Sequence, residues 1–193
     1  MINMKKITIG IFSLIASIGL FSCIKNDPVL FQDSVVEFDV AVYNTNNAYT
    51  LPPDSIAFPI LVRVPAVGRQ VSNATDSLLR RNTGSVSLRV NLVGAHRKQP
   101  TTISYRILNK NEYKLIGVVS NTNDQAVAGT HYTALPGTVT IPADSSFGFI
   151  NINILNPGVS STTPRELVLM LTESGDVKPS RNYKVAGIRI SQQ

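Results

Sequence analysis

Few side chains in this sequence could act as catalysts or ligands, and their spacing says more than their number. The 193 residues include two histidines (His96, His131), one cysteine (Cys23), no tryptophan and four glutamates (Glu37, Glu112, Glu166, Glu173). Covalent catalysis needs a nucleophile and a base within hydrogen-bond reach, and a metal centre needs several ligands at short, regular spacing. No nucleophile elbow, phosphate-binding glycine loop or pair of metal ligands occurs. The expectation is a protein that is not an enzyme and carries no cofactor. His96 lies in a polar stretch and reads as a solvated side chain. His131, beside Tyr132, reads as support for a turn at a strand end.

The remaining reactive group is the thiol of Cys23, and its position gives it its chemistry. Lys5 and Lys6 precede an apolar run from Ile7 to Phe21, diluted by Thr8, Gly10, Ser13, Ser17 and Gly19. That run is shorter than the ~20 residues of a bilayer-spanning helix, and charge followed by apolar residues is the pattern of an export leader. Leu20-Phe21-Ser22-Cys23 resembles the lipobox of bacterial lipoproteins. The resemblance implies cleavage between Ser22 and Cys23, a diacylglycerol on the thiol and acylation of the new amino group. The alternative is an ordinary secretory signal with a cysteine beside the cut by chance. Two or more acyl chains give stable anchoring where one gives marginal binding.

The predicted organisation is therefore a lipoprotein signal peptide over residues 1–22, a lipidated N-terminus and linker over 23–34, and a single domain over 35–193. Lys25-Asn26-Asp27 resembles the surface-export signal of Bacteroidota lipoproteins, or is simply a solvated linker. The first reading implies an outer-membrane, lipid-anchored protein facing the cell surface. With the only thiol acylated, no disulfide can form within the chain, and burial and backbone pairing must hold the fold.

Lysine and arginine number 18 against 12 acidic residues, for a formal net charge of +6. The excess is concentrated between Arg63 and Lys114, where ten cations face only Asp76 and Glu112. Either these side chains form one patch for an acidic partner, such as a charged glycan or a protein, or they are scattered over strand faces and loops. No nucleic-acid motif accompanies them, so nucleic acid is not an expected partner.

The elements that must position these groups read as strands. Val36, Phe38, Val40 and Val42 alternate with Glu37 and Asp39, and Ile56, Phe58, Ile60, Val62 and Val64 repeat the period of two. Pro59 cannot donate to a ladder, which predicts a sheet edge or a bulge there. Residues 66–84 form the longest weakly patterned stretch, with a helical turn expected over Asp76–Arg81. Alternation returns at Val86–Leu92, Ile103–Ile107, Leu115–Val119, Thr138–Ile141, Phe147–Leu155, Glu166–Thr172 and Tyr183–Ile190. Thr138–Ile141 and Phe147–Leu155, separated by Pro142-Ala143-Asp144-Ser145, predict a hairpin. Gly187 predicts a bulge or a close backbone approach. Seven to nine short strands without a long helix predict an all-β, antiparallel β-sandwich of immunoglobulin-like type.

Ala128-Gly129-Thr130-His131-Tyr132, Gly137-Thr138-Val139-Thr140-Ile141-Pro142-Ala143, the Ile150/Ile152/Ile154 series and Glu166-Leu167-Val168-Leu169-Met170-Leu171 resemble the ordered signature of Calx-beta sandwich domains over about residues 85 to 190. Together with the lipobox they resemble small Bacteroidota surface lipoproteins found near SusC/SusD-type glycan-uptake systems. The resemblance implies an accessory binding or structural module, with glycan capture or a SusC/SusD-type transporter as partner. The alternative is a protein-interaction, adhesion or envelope-assembly subunit that pairs through an exposed edge such as the Pro59 strand. Calcium-binding members cluster carboxylates in end loops. Here His131 stands where an acid is common and 156–164 contains none, so no calcium site is expected, and Asp124 and Asp144 read as turn residues. Tyr43, Tyr49 and Tyr113 are candidate sugar-stacking rings or else partly buried rim residues. Asp33-Ser34-Val35, Asp54-Ser55-Ile56 and Asp76-Ser77-Leu78 resemble the O-glycosylation acceptor of exported Bacteroidota proteins, which marks Ser34, Ser55 and Ser77.

Overall fold

A computed structural model describes residues 33–39, 47–53, 56–64, 73–115 and 123–193, all within the compact unit Gln32–Gln193. The leader, the Ser22–Cys23 cut, most of the linker, Tyr43, Ser55 and the part of the Leu115–Val119 strand beyond Leu115 lie outside these residues. The described elements are all strands: β1 Val35–Phe38, β2 Asn47–Leu51, β3 Ile56–Leu61, β4 Ser85–Val93, β5 Thr101–Ile107, β6 Lys114–Leu115, β7 Asp124–Gln125, β8 Thr138–Ile141, β9 Phe147–Asn153, β10 Arg165–Leu171, β11 Lys178–Pro179 and β12 Val185–Ile190.

They build a two-layer sandwich. The smaller sheet runs β11-β1-β4-β9, and the larger runs β6-β2-β3-β12-β10-β5-β8, with β7 beside the start of β10. The core follows from period-two alternation. Val86, Leu88, Val90 and Leu92 of β4, with Ile150 and Ile152 of β9, face Leu167, Leu169 and Leu171 of β10 and Ala186, Ile188 and Ile190 of β12 across one apolar cluster. Most long pairings are antiparallel, as expected, but β1·β11, β7·β10 and β3·β12 are parallel, so both sheets are mixed.

Several expectations are corrected. β8 and β9 do not form a hairpin: β8 pairs with β5 in the larger sheet and β9 with β4 in the smaller. The turn between them takes the chain from one sheet to the other. Both strands have an apolar face, Val139/Ile141 and Ile150/Ile152, and these meet the same core from opposite sides. The turn is closed by Ser145 N–H to Pro142 O at 3.2 Å and is also bonded sideways, Asp144 N–H to Arg97 O at 2.8 Å and Leu92 N–H to Ser146 O at 2.7 Å. Gly148 lies where the sheets come together, and a Cβ there would be 2.6 Å from the Thr140 carbonyl oxygen.

The Pro59 strand is not an edge, since β3 has β2 on one side and β12 on the other. The ladder absorbs the missing donor by a register shift between Asn47 and Tyr49, which fits the bulge reading. Residues Asp76–Arg81 are not helical: a bend at Asp76 leads into the extended 77–80, and a turn begins at Arg81. Leu79 is fully buried, and its segment bridges to Arg63 on one side and Ser191 on the other. The β10–β12 register is unbroken through Gly187, so that glycine marks a close approach and not a bulge. A Cβ at Gly187 would lie 2.8 Å from both Leu167 O and Ile60 Cδ1.

The larger sheet also buries much of its second face. Val168 of β10, Val185 of β12, Phe58 and Ile60 of β3, Tyr49 of β2, Leu108 and Tyr113 make a second apolar cluster. Tyr49, Phe58 and Tyr113 form a triangle with ring centroids 5.7–5.9 Å apart.

Candidate functional site

Two of the three tyrosines named as stacking candidates sit inside this second cluster. Tyr49 is 0% and Tyr113 2% exposed, so neither presents a ring face to a sugar. Both rings cover the apolar face of a strand that is buried on both sides, and that burial displaces them from the surface. Tyr43 is outside the described residues.

What Tyr49 touches is a buried charge. Glu166, 0% exposed on β10, accepts hydrogen bonds from the Tyr49 hydroxyl, from Asn123 Nδ2 at 2.7 Å and from Arg189 Nε at 2.9 Å. Arg189 Nη2 and Asn123 Nδ2 also donate to the Tyr49 oxygen, which closes the network. Burial, then the bond to the Glu166 carboxylate, pushes the Tyr49 hydroxyl up to about 12. Burial, then the charge of Glu166, raises Tyr113 as well. Both phenols stay protonated at neutral pH, and the Tyr49–Glu166–Arg189 network fastens β2 to β10 and β12 instead of supplying a nucleophile. The signal for it was in the sequence: Glu166 is in phase with Val168 and Met170, an apolar second face that obliges a charge to find partners.

The other expected residues are dispersed. His131 is buried at 8% exposure, and its Nδ1 accepts the Val127 N–H at 3.0 Å within the 127–131 turn. Burial, then the nearby Arg165 charge, lowers its pKa. His96 bonds Ser146 Oγ on the surface. Asp144, with φ of 56°, is a turn residue, but Asp124 lies on β7 and pairs with Arg165 and Lys110. Among the described residues, half of the ten Arg63–Lys114 cations are tied up in ion pairs. Arg89, Arg97, Lys98 and Lys110 pair with Asp39, Asp176, Asp144 and Asp124, acids from other parts of the chain, and Arg106 pairs with Glu112. Ser34 is half-buried and Ser77 exposed, while Ser55 is outside the described residues. Among the described residues no three His, Cys, Asp or Glu side chains gather as a metal site would require.

The surface best arranged for recognition is the outer face of the smaller sheet. In β9 the outward positions are Phe147, Phe149, Asn151 and Asn153, and all four are exposed. The two rings pack edge to face at 5.6 Å and remain 39% and 45% exposed. The antiparallel register sets Asn91 opposite Phe147, Arg89 opposite Phe149, Ser87 opposite Asn151 and Ser85 opposite Asn153. Glu37 of β1 continues the first row. Arg89 lies 4.8 Å over the Phe147 ring, bonds Asn91 Oδ1 at 2.9 Å and pairs with the mostly buried Asp39 at 2.8 Å. Ser87 Oγ meets Asn151 Oδ1 at 2.6 Å.

The face is thus an open strip of about 20 Å, aromatic at one end and amide and hydroxyl at the other, with its guanidinium neutralised by Asp39. The two phenylalanines were not singled out from sequence, although their phase with Asn151 and Asn153 on the polar side of β9 was visible.

No family model and no curated protein matches this sequence. Solved structures resemble it. A structural-genomics protein of unknown function from Bacteroides ovatus superposes with a TM-score of 0.50 at 10% identity, over 83% of this chain and 52% of its own. The apo form of the Calx CBD1 domain gives 0.48 at 13% identity, over 84% of this chain and 99% of its own. A candidate carbohydrate-binding protein from Bacteroides ovatus gives 0.40 at 12% identity, over 57% of this chain and 32% of its own. At such identities the resemblance is one of fold alone, a two-layer β-sandwich that other proteins share.

Proposed function

We propose that this chain is a non-enzymatic binding module, held on the outer membrane by lipid on Cys23, that captures glycans on the outer face of its smaller sheet. The observation that carries this reading is the exposed Phe147–Phe149 pair, continued by rows of asparagine and serine across β4 and β9. A sugar ring has an apolar face of C–H bonds and a rim of hydroxyls. The strip offers ring faces for the first and amide and hydroxyl groups for the second. With Arg89 paired to Asp39, the strip presents no unpaired guanidinium to a ligand, and its Asn and Ser rows suit the hydroxyls of a saccharide. Its length suits an oligosaccharide better than a single ring. A SusC/SusD-type transporter is the natural recipient of such a captured glycan.

The test is a glycan array probed with the full chain in detergent micelles, beside the Phe147→Ala/Phe149→Ala double variant. Binding to a set of neutral oligosaccharides that the double variant loses supports the proposal. No binding across a broad array, or binding indifferent to both substitutions, removes it. The anchor is checked separately: Cys23→Ser should release the protein from the membrane fraction.

A further inference from the structure

The segment before β4 holds a second surface with different chemistry. Leu79 is fully buried and its backbone is pinned on both sides: its N–H donates to Val62 O at 2.9 Å, and its carbonyl accepts from Ser191 N–H at 2.8 Å. The chain then turns tightly, with Thr83 N–H donating to Arg80 O at 3.0 Å and Arg80 N–H to Thr83 Oγ1 at 2.7 Å. This fixed frame borders a cleft of about 520 Å³ lined by Val64, Ser77, Leu78, Arg80, Asn82 and Thr83. That volume falls within the range of small-molecule sites.

Arg80 and the exposed Arg181 differ from the other described arginines. Arg63, Arg81, Arg89, Arg97, Arg106, Arg165 and Arg189 each donate to a carboxylate, amide, hydroxyl or carbonyl of the chain. Among the described residues Arg80 has no protein acceptor, and the described lining of the cleft contains no acidic side chain. Exposed Leu78 and half-buried Val64 give the same cleft an apolar wall.

We infer that this cleft binds a sugar acid, a ring bearing one carboxylate and several hydroxyls. Arg80 takes the carboxylate through its planar fork of donors. The Asn82 amide and Ser77 hydroxyl meet the ring hydroxyls, and Val64 and Leu78 cover a C–H face. Arg80 is the one cation among the described lining residues, and one positive charge matches a monoanion, which favours a carboxylate over a phosphate dianion. This site is separate from the sheet face and does not depend on it.

The experiment uses the full chain in detergent micelles, with Ser77 confirmed unmodified by intact mass. Calorimetric titrations with D-glucuronate, D-glucose and inorganic phosphate are run alongside hydrogen exchange. Glucuronate should bind and slow exchange in peptides covering 77–83, and glucose should bind about tenfold more weakly or not at all. Arg80→Ala should lose about tenfold or more in glucuronate affinity at unchanged melting temperature, Arg80→Lys should keep part of it, and Phe147→Ala/Phe149→Ala should leave it unaltered. Three results overturn the inference: no heat and no protection with glucuronate, equal affinity in Arg80→Ala, or phosphate binding as tightly as glucuronate.

Discussion

Removing the carboxylate of Glu166 tests whether its buried network fastens the outer layer to the sandwich. In Glu166→Ala the Tyr49 hydroxyl, Asn123 amide and Arg189 guanidinium all lose the acceptor they share. Breaking a buried ion pair from one side costs about 3–5 kcal/mol, because the surviving charge is left without a partner. Arg189 is 29% exposed and partly rehydrates, which argues for the lower half of that range, about 3–4 kcal/mol. For a domain of this size such a loss lowers the melting temperature by roughly 6–16 °C. Glu166→Gln keeps an acceptor of the same shape without the charge and should lose about half as much.

Far-UV circular dichroism through urea and thermal unfolding measures both variants. Glu166→Leu/Arg189→Met supplies the decisive comparison. Replacing both charges with apolar groups of similar volume removes the orphaned partner, so the pair should recover much of the loss seen in Glu166→Leu alone. A Glu166→Ala loss below about 1 kcal/mol would refute the reasoning, since a carboxylate so buried and so bonded cannot be silent if the network holds the layer. Equal losses in Glu166→Gln and Glu166→Ala would also refute it, by showing that the charge does not matter.

Tyr49 sets an alkaline limit. Its folded pKa of about 12 exceeds the ordinary 10, so its contribution is complete below pH 10 and is lost as pH rises toward 12. The difference is worth roughly 3 kcal/mol, and pH-dependent melting of Tyr49→Phe should show a shallower decline in that window. His131 acts at the other end: its folded pKa is lowered by burial and by Arg165, so stability should be complete above about pH 6.5 and fall as pH drops below it. His131→Gln should flatten that acid limb. Gly187→Ala should cost about 1–3 kcal/mol by overpacking, since the new methyl group meets the Leu167 carbonyl and the Ile60 side chain. Urea midpoints read this directly, and a neutral result would mean that β12 and β10 can separate freely.

How much of the fold was legible depends on how each residue carries its information. β4 and β9 alternate cleanly between buried and exposed positions, and their strands could be read from apolar phase alone. The parallel contacts of β1 with β11 and of β7 with β10 involve two residue pairs each, too few for any periodicity to register. The β8–β9 turn has the composition of a hairpin turn, and only the need to bury Val139 and Ile150 from opposite sides separates a hairpin from a change of sheet. Leu79 was hidden for a related reason: two adjacent leucines, Leu78 and Leu79, in a polar stretch show no phase, yet Leu79 is what draws the segment between the ends of β3 and β12. For the site, tyrosine identity suggested exposed rings, but the run Glu166–Leu171 puts apolar residues on both faces of β10. A strand of that kind needs a second covering layer, and large residues such as Tyr49 and Tyr113 supply it.

The two sheets therefore divide the work unequally. β10 and β12 bury residues of both parities, so the larger sheet commits both of its faces to stability in this region. β4 and β9 commit only one, and the side chains on the other are joined to each other by bonds such as Ser87–Asn151 and Arg89–Asn91 without being covered. Surface side chains of this kind can change without disturbing the core, because substitutions there lie mostly within about 0.5 kcal/mol. The outward residues of β4 and β9 can then change while the fold is held by β10, β12 and the Glu166 network. The same separation explains why the fold can recur at about 10% identity: the alternation that builds the sandwich constrains only the inward residue of each pair, and the outward residue is left to vary.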